Sequence, residues 1–206
     1  MPLRGLGLAL LVTALAGAPA AEAGCGGVVK QDPLKRLGDF DAPLIIGDSV
    51  LLGAVRPVAR RGYEVNAQGC RSWQQGAALV RKRKRYGTLP HMVAMFLGAD
   101  WEVSKAQIRE TLFRLGPKRV LVLVTPREVG GRGGTDAQNM RDIAAESPTR
   151  VLLLDWVRHT RGKKSWFAPD GLHLSYDGIT GLAKFLRGAL EYAAPGAMPA
   201  VPPPAA

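Results

Sequence analysis

The chain has few residues of the kinds that bind metal ions or form disulfide frameworks. Its 206 residues include two cysteines and three histidines. Two cysteines exclude a disulfide-rich scaffold, and the histidines are too scattered to indicate a metal site. The sequence therefore predicts neither a metal ion nor a cofactor.

Long apolar runs are confined to the N-terminus. Arg4, the apolar "LGLALLVTALAGA" and the small-x-small stretch 21–23 are typical of a secretory signal peptide. The run is shorter than the length a helix needs to span a membrane, and no later apolar run approaches its length. We predict a signal peptide at 1–23, no transmembrane segment and a secreted or periplasmic location. Lipid anchoring at Cys25 is the alternative, which Glu22 fits poorly.

The two cysteines, Cys25 and Cys70, are interpreted through the predicted export. An oxidising compartment permits disulfides and disfavours the alternative of two free thiols. A bridge between them would tie the N-terminal tail to the body of the protein, and by loop-closure entropy it would add about 4 kcal/mol of stability.

Negative charge is scarce. The chain has 17 acidic and 28 basic residues and a net charge of +11, which favours anionic partners through long-range attraction. For an exported protein these are cell-wall polymers or membrane surfaces. The run "RKRKR" at 81–85 raises the alternative of nucleic acid. It follows a helical stretch and lacks interleaved aromatics, so we expect a solvated helix end and no specific nucleic-acid binding.

Strand-length apolar runs alternate with helical patterns through most of the chain. The runs are typical of strands covered on both faces and lie at 42–46, 63–65, 91–97, 119–125 and 150–156. Helical spacing is found at 50–61, 72–86, 104–115, 135–146 and 176–193, with Ser104 and Thr135 as expected N-caps. We predict an α/β fold, a three-layer α/β/α sandwich with a central five-stranded parallel sheet.

The predicted domain covers 41–193, preceded by an N-terminal tail at 24–40. A disordered Pro/Ala-rich tail at 194–206 follows it, because "APGAMPAVPPPAA" lacks the periodicity and bulk to pack. Right-handed crossovers would place the strand C-terminal ends, and Ser49 with them, along one edge of the sheet, where such folds bind ligands.

A serine nucleophile needs a base, and the base needs an orienting group. His91 begins a strand at the opposite edge, and His159 lies among cationic residues. His173 lies in "APDGLHLS", where Asp170, three residues earlier in a turn, can reach its Nδ1. Together with "GDS" at 47–49, this spacing predicts Ser49, His173 and Asp170 as a catalytic triad. Asp48 is expected to hold the turn through backbone N–H groups.

These motifs resemble those of the SGNH (GDSL-type) hydrolases, over about 41–192. "IIGDSV" matches the nucleophile block, "DGLH" the triad block, and "AQGCRS" the position of the glycine block. The resemblance implies a flavodoxin-like fold and an oxyanion hole formed by the backbone N–H groups of Ser49 and Gly69. With "WFAPDGLHL", it is closest to exported SGNH domains associated with O-acyltransferases of cell-wall glycans.

The sequence departs from the family in its third block, which usually ends in an asparagine that donates to the oxyanion. Here "LGAD" places Asp100 at that position. An ionised carboxylate has no donor, and loss of one such donor costs about 2.7–4 kcal/mol of transition-state stabilisation. Three interpretations follow: Asp100 is protonated and donates, the backbone donors act alone at reduced rate, or the site binds without catalysis.

Three further residues are candidate substrate contacts. Arg71 follows the glycine block and either contacts substrate or is solvated. Trp101 and Trp166 follow loops at the predicted site edge and either stack on a sugar ring or pack locally. The flexible "GGRGG" at 130–134 does not match a phosphate-binding loop.

The sequence therefore predicts a secreted serine esterase or acyltransferase acting on short O-acyl, mainly O-acetyl, esters of a cell-envelope glycan or on another small ester. Hydrolysis and transfer use the same triad, so both are predicted. The alternative is a catalytically impaired SGNH-fold module that binds anionic envelope glycans. An envelope nucleic-acid binder is a weaker third hypothesis. Nothing in the sequence indicates an oligomeric state.

Overall fold

The computed structural model describes residues 25–128 and 130–199. The expected signal peptide, 1–23, lies outside these residues, as do 200–206 of the expected tail. In the described part of the chain, no helix combines the length and apolar character needed to cross a membrane.

Among the described residues, six strands form one sheet in the order β1-β3-β2-β4-β5-β6. They are β1 Val29–Gln31, β2 Leu44–Gly47, β3 Glu64–Ala67, β4 Met92–Phe96, β5 Val120–Val124 and β6 Val151–Leu154. Strands β2 to β6 pair in parallel, which confirms the predicted parallel sheet. The predicted count of five strands is corrected to six, because β1 adds to β3 in antiparallel orientation.

Helices cover both faces of the sheet. They are α1 Ser49–Leu52, α2 Val55–Ala59, α3 Trp73–Arg85, α4 Lys105–Leu115, α5 Thr135–Glu146, α6 Trp156–His159 and α7 Tyr176–Phe185. Side chains of α1, α2 and α7 share one buried cluster with Ile45. Leu44 and Ile46 of the same strand join α3, α4 and α5 in the other cluster. This alternation along β2 produces the predicted three layers.

Several helix ends differ from the sequence prediction. Ser104 caps α4 in a capping box, as predicted. Thr135 is instead the first residue of α5, and Gly134 precedes it without a side-chain cap. The helix predicted at 50–61 is divided into α1 and α2, since Pro57 has no N–H to continue a single helix across Gly53. The last helix continues after Phe185 as a 3₁₀ helix, Leu186–Tyr192.

Candidate active site

Ser49 lies where β2 ends and α1 begins. It is half-buried, and it follows Asp48, the N-cap residue of α1. The Asp48 carboxylate accepts a hydrogen bond from the backbone N–H of Val50 at 3.1 Å. The expectation that Asp48 holds this turn is confirmed, and the turn directs Ser49 to the C-terminal edge of the sheet.

His173 connects Ser49 to Asp170. Its Nε2 lies 3.0 Å from Ser49 Oγ, and its Nδ1 lies 2.7 Å from Asp170 Oδ2. Ser49 and His173 are 124 residues apart in sequence, so the fold creates this arrangement. A hydroxyl, an imidazole and a carboxylate in hydrogen-bonding series can lower the barrier to nucleophilic attack by Ser49 Oγ.

The turn that carries Asp170 and His173 is fixed by its own hydrogen bonds. Asp170 Oδ1 accepts from the backbone N–H groups of Leu172 and His173, at 2.8 and 3.0 Å. Burial alone would raise the pKa of Asp170, but these bonds and the one to the His173 ring outweigh it, so its pKa lies below its usual value. Asp170 is therefore ionised at neutral pH, and its charge is available to orient the imidazole.

Neighbouring loops support this turn. The backbone N–H of Ala168 donates to the His173 carbonyl at 2.8 Å. The N–H of Gly130, within the "GGRGG" stretch, donates to the Asp170 carbonyl at 3.2 Å. Gly171 has φ +71° and lies directly against Gly131, where a side chain would meet backbone atoms. Gly130 and Gly131 thus provide close backbone contact beside the turn.

The other two histidines lie away from this arrangement. His91 lies at the start of β4, and its Nε2 is 2.8 Å from the carbonyl oxygen of Ala197. The ring of His159 stacks on Phe185, with centroids 4.4 Å apart. The choice of His173 as the base therefore agrees with the positions of all three histidines.

The predicted oxyanion residues come from two loops beside Ser49. Gly69 is buried, next to Cys70, whose left-handed backbone has φ +52°. Asp100 is exposed, and the preceding residue, Ala99, donates its N–H to Asp48 Oδ2 at 3.2 Å. Asp48 therefore connects the nucleophile turn to the loop that carries Asp100, a link the local sequence did not reveal.

Asp100 lines a cavity together with other acidic residues. This cavity of about 230 Å³ is lined by several acidic groups: Asp100, Glu102, Glu128 and Asp136. Burial raises the pKa of Asp136, and the charges of Glu128 and Glu102 raise it further. Asp136 Oδ1 accepts from the N–H of Val103 at 2.9 Å. The sequence did not predict that Asp136 supports this loop. An acidic residue in the first turn of a helix is usually explained by its favourable interaction with the helix dipole.

Of the two interpretations of Arg71, the solvated side chain is wrong. Arg71 is 4% exposed. Its guanidinium donates to the carbonyl oxygens of Asn66 and Gly47, at 2.6 and 3.3 Å, and to Asn66 Oδ1 at 2.7 Å. Both terminal nitrogens of the guanidinium donate to oxygens at the ends of β2 and β3. Arg71 therefore holds these strand ends together.

The two tryptophans have different environments. Trp101 is 56% exposed, and its Nε1 donates to the Cys70 carbonyl at 3.0 Å. Trp166 stacks near Trp156 with centroids 5.9 Å apart, and Lys163 Nζ lies 4.0 Å from its ring centroid. Trp166 therefore packs locally, which is one of its two predicted environments. Trp101 instead has an exposed ring beside the loop that carries Gly69.

The structure joins Cys25 to Cys70 in a disulfide. The bridge connects the segment before β1 to the loop that follows β3. Since Cys70 follows Gly69 directly and its carbonyl accepts the Trp101 hydrogen bond, the disulfide holds one side of the candidate oxyanion site.

The fold is shared with solved SGNH (GDSL-type) hydrolases. No family model matches the chain. A solved GDSL-family lipolytic protein from Veillonella parvula aligns with TM-score 0.53 and 13% identity, over 72% of this chain and 96% of that one. The fold prediction and the resemblance to SGNH hydrolases are thereby confirmed.

The more specific similarity is to O-acetyltransferase OatA. The OatA of Staphylococcus aureus is 30% identical over 156 residues, which are 73% of this chain and 25% of OatA. The catalytic domain of Streptococcus pneumoniae peptidoglycan OatA aligns with TM-score 0.62 and 24% identity, over 76% of this chain and 93% of that domain. These relatives confirm the predicted resemblance to SGNH domains associated with O-acyltransferases. The chain spans about a quarter of the S. aureus protein that it matches.

Proposed function

We propose that this chain is an exported serine esterase or O-acyltransferase that acts on short O-acyl, mainly O-acetyl, esters of a cell-envelope glycan. The observation that carries the proposal is the series from Ser49 Oγ to His173 Nε2 at 3.0 Å and from His173 Nδ1 to Asp170 Oδ2 at 2.7 Å. The similarity to a peptidoglycan O-acetyltransferase supports the choice of a glycan ester.

The reaction would proceed through an acyl-enzyme. Ser49 Oγ attacks the ester carbonyl carbon while His173 Nε2 accepts its proton, and the Asp170 carboxylate stabilises the imidazolium. The backbone N–H groups of Ser49 and Gly69 donate to the oxyanion. When the intermediate collapses, the carbon–oxygen bond to the leaving alcohol breaks and His173 gives that oxygen a proton.

The acyl group then leaves Ser49 in a second half-reaction. Either water or a sugar hydroxyl attacks the acyl carbon while His173 accepts its proton and returns one to Ser49 Oγ. Water releases a free acid, whereas a sugar hydroxyl gives a new ester. The exposed ring of Trp101 provides a flat apolar surface, beside the loop that carries Gly69, for a sugar acceptor or donor.

The alternative of a module that binds anionic glycans in this cleft has less support. The cavity beside Asp100 is lined by four carboxyl groups, and negative charges there would repel an anionic ligand. The same charges are compatible with a neutral acetylated sugar.

The test compares the wild-type protein with Ser49→Ala in the hydrolysis of p-nitrophenyl acetate and in labelling by a fluorophosphonate. Ser147→Ala is the matched control, because Ser147 follows the C-terminal end of α5 at the opposite edge of the sheet. We expect Ser49→Ala to abolish labelling and lower kcat by about 10⁴-fold or more, with Ser147→Ala unchanged. Equal activity of wild type and Ser49→Ala would refute the proposal.

A further inference from the structure

The C-terminal ends of α3 and α4 form a surface that the proposed function does not use. It combines exposed basic side chains with two exposed aromatic rings, and we call it the basic end: Arg81, Lys82, Arg85, Tyr86, Phe113 and Lys118. Helices that connect parallel strands run antiparallel to them, so their C-terminal ends lie at the edge opposite Ser49.

Hydrogen bonds hold the two helix ends beside each other. Lys84 Nζ donates to the carbonyl of Arg114, joining the end of α3 to the end of α4. Arg83 forms a two-bond ion pair with Glu64 of β3, at 2.6 and 2.7 Å. Arg83 and Lys84 therefore hold the end of α3 in place. The other three cations of the "RKRKR" run lie on the remaining sides of this helix end.

The cations of the basic end face solvent. Arg81, Lys82, Arg85 and Lys118 are exposed, and none of them takes part in an ion pair among residues 25–128 and 130–199. Four positive charges at and just beyond these adjacent helix ends create a potential that attracts a negatively charged surface.

Two aromatic rings accompany these charges. Tyr86 follows α3 and is 66% exposed, and Phe113 of α4 is 78% exposed. Tyr86 is four residues after Lys82, so the two side chains share a helix face. A single exposed apolar residue is common on proteins. Exposed aromatic rings at the same helix ends as basic side chains are typical of surfaces that enter the lipid headgroup layer.

We propose that the basic end docks on a bilayer of anionic lipids, leaving the Ser49 edge directed away from the membrane. Charge complementarity supports a negatively charged surface as the partner. Phe113 favours a bilayer over a soluble polyanion, because its ring has no polar atom to meet a hydrated polymer but gains by partitioning toward acyl chains. The proposal is independent of the proposed catalysis.

The test measures co-sedimentation of the protein without its predicted signal peptide, residues 24–206, with vesicles of phosphatidylglycerol and phosphatidylcholine in equal parts, and with phosphatidylcholine alone. The charge variant is Arg81→Gln/Lys82→Gln/Arg85→Gln. Its matched control, Arg158→Gln/Arg161→Gln/Lys164→Gln, removes the same charge from exposed positions beyond the end of β6. Phe113→Ser is compared with Tyr176→Ser, since Tyr176 is 83% exposed at the other end of the sheet. Ser49→Ala separates binding from catalysis.

We expect binding only to the anionic vesicles, weakened by salt. Each cation near such a surface strengthens binding by roughly fivefold, so the charge variant should bind about 100-fold more weakly. Phe113→Ser should bind about tenfold more weakly, and both controls and Ser49→Ala should match the wild type. Circular dichroism verifies that each variant is folded.

Two results would overturn the proposal. One is that the wild-type protein does not bind anionic vesicles, or that the charge variant and its control weaken this binding equally. The other is unchanged vesicle binding by Phe113→Ser together with equally tight, charge-variant-sensitive binding to dextran sulfate or double-stranded DNA. That pattern would identify the basic end as a general polyanion contact.

Discussion

The carboxylate of Asp48 accepts a hydrogen bond from the backbone N–H of Ala99 at 3.2 Å, which joins the turn before Ser49 to the loop that carries Asp100. Its other oxygen accepts from Val50 at 3.1 Å. Asp48 is 2% exposed. Burial raises its pKa to about 7, although the two backbone hydrogen bonds oppose the shift. The buried Asp48 side chain therefore connects the turn that carries Ser49 to the adjacent loop.

This raised pKa predicts that stability falls as pH rises. The folded protein binds more protons than the unfolded chain between the ordinary pKa of 3.8 and about 7. The free energy of unfolding should therefore be lower at about pH 8 than at about pH 5, by about 1–3 kcal/mol. Urea unfolding at both pH values measures the difference.

Asp48→Asn serves as the comparison for this pH dependence. An amide cannot ionise, so the variant should lose the decrease contributed by Asp48. His159, whose pKa is lowered by burial and by Lys163, titrates in both proteins and cancels. The variant should also be less stable at about pH 5, by about 1–3 kcal/mol, because its amide faces a backbone donor. Parallel pH profiles for the two proteins would contradict the assignment.

Asp170→Asn should reduce catalysis with little effect on folding. The asparagine oxygen can still accept from the N–H groups of Leu172 and His173. Its NH₂ group would face His173 Nδ1 and favour the wrong tautomer, so kcat for p-nitrophenyl acetate should fall on the order of 10⁴-fold. The exposed Asp177→Asn, in the first turn of α7, is the control. A loss shared by both variants, or a large fall in Tm, would argue against an orienting role.

Arg71→Gln should destabilise the protein. The guanidinium holds Gly47 and Asn66 together from a buried position. Removing it takes a charged donor from both carbonyl oxygens, although that of Gly47 still accepts from the Gln68 N–H. The free energy of unfolding should fall by about 3 kcal/mol, whereas Arg56→Gln, at an exposed position, should change it by less than about 0.5 kcal/mol. A raised KM with unchanged stability would instead support Arg71 as a substrate contact.

The sequence was most informative where chemistry or hydropathy is local. The apolar runs identified the parallel strands, and "GDS" with "APDGLH" identified Ser49, Asp170 and His173, which the fold brings within hydrogen-bonding distance. Each motif contains the residue types its chemistry needs. The three-layer fold could be inferred because strands covered on both faces need two helical layers.

Features created by backbone pairing left no such signal. The edge strand β1 is joined to β3 by main-chain hydrogen bonds, and its side chains are largely exposed. Arg71 is buried because carbonyl groups from two strands converge on it. The aromatic partner of Trp166, Trp156, comes from the preceding helix. None of these contacts can be inferred from hydropathy or local spacing.

Reducing the Cys25–Cys70 disulfide should lower stability substantially. The bridge closes a loop with a sequence separation of 45, for which chain entropy predicts about 4 kcal/mol. Dithiothreitol should therefore lower Tm on the order of 10 °C, as measured by circular dichroism. Cys25→Ser/Cys70→Ser should already show the lower Tm and not respond to dithiothreitol. An equal response of both proteins would show that the reductant acts elsewhere.

Asp100→Asn tests whether the acid at this position limits the proposed reaction. Asp100 is exposed on the loop that Asp48 ties to the nucleophile turn, and an asparagine there would add an N–H donor for the oxyanion. We expect kcat for p-nitrophenyl acetate to rise by roughly 10- to 100-fold.

Two controls separate the donor from the charge. Glu102→Gln removes a neighbouring charge from the same cavity, and Asp100→Ala removes the charge at position 100 without adding a donor. A gain specific to Asp100→Asn would assign the effect to the amide. An equal gain in Asp100→Ala would assign it to relief of charge repulsion. If kcat is unchanged or lower in Asp100→Asn, the oxyanion does not draw on this position, and the backbone donors of Ser49 and Gly69 act alone.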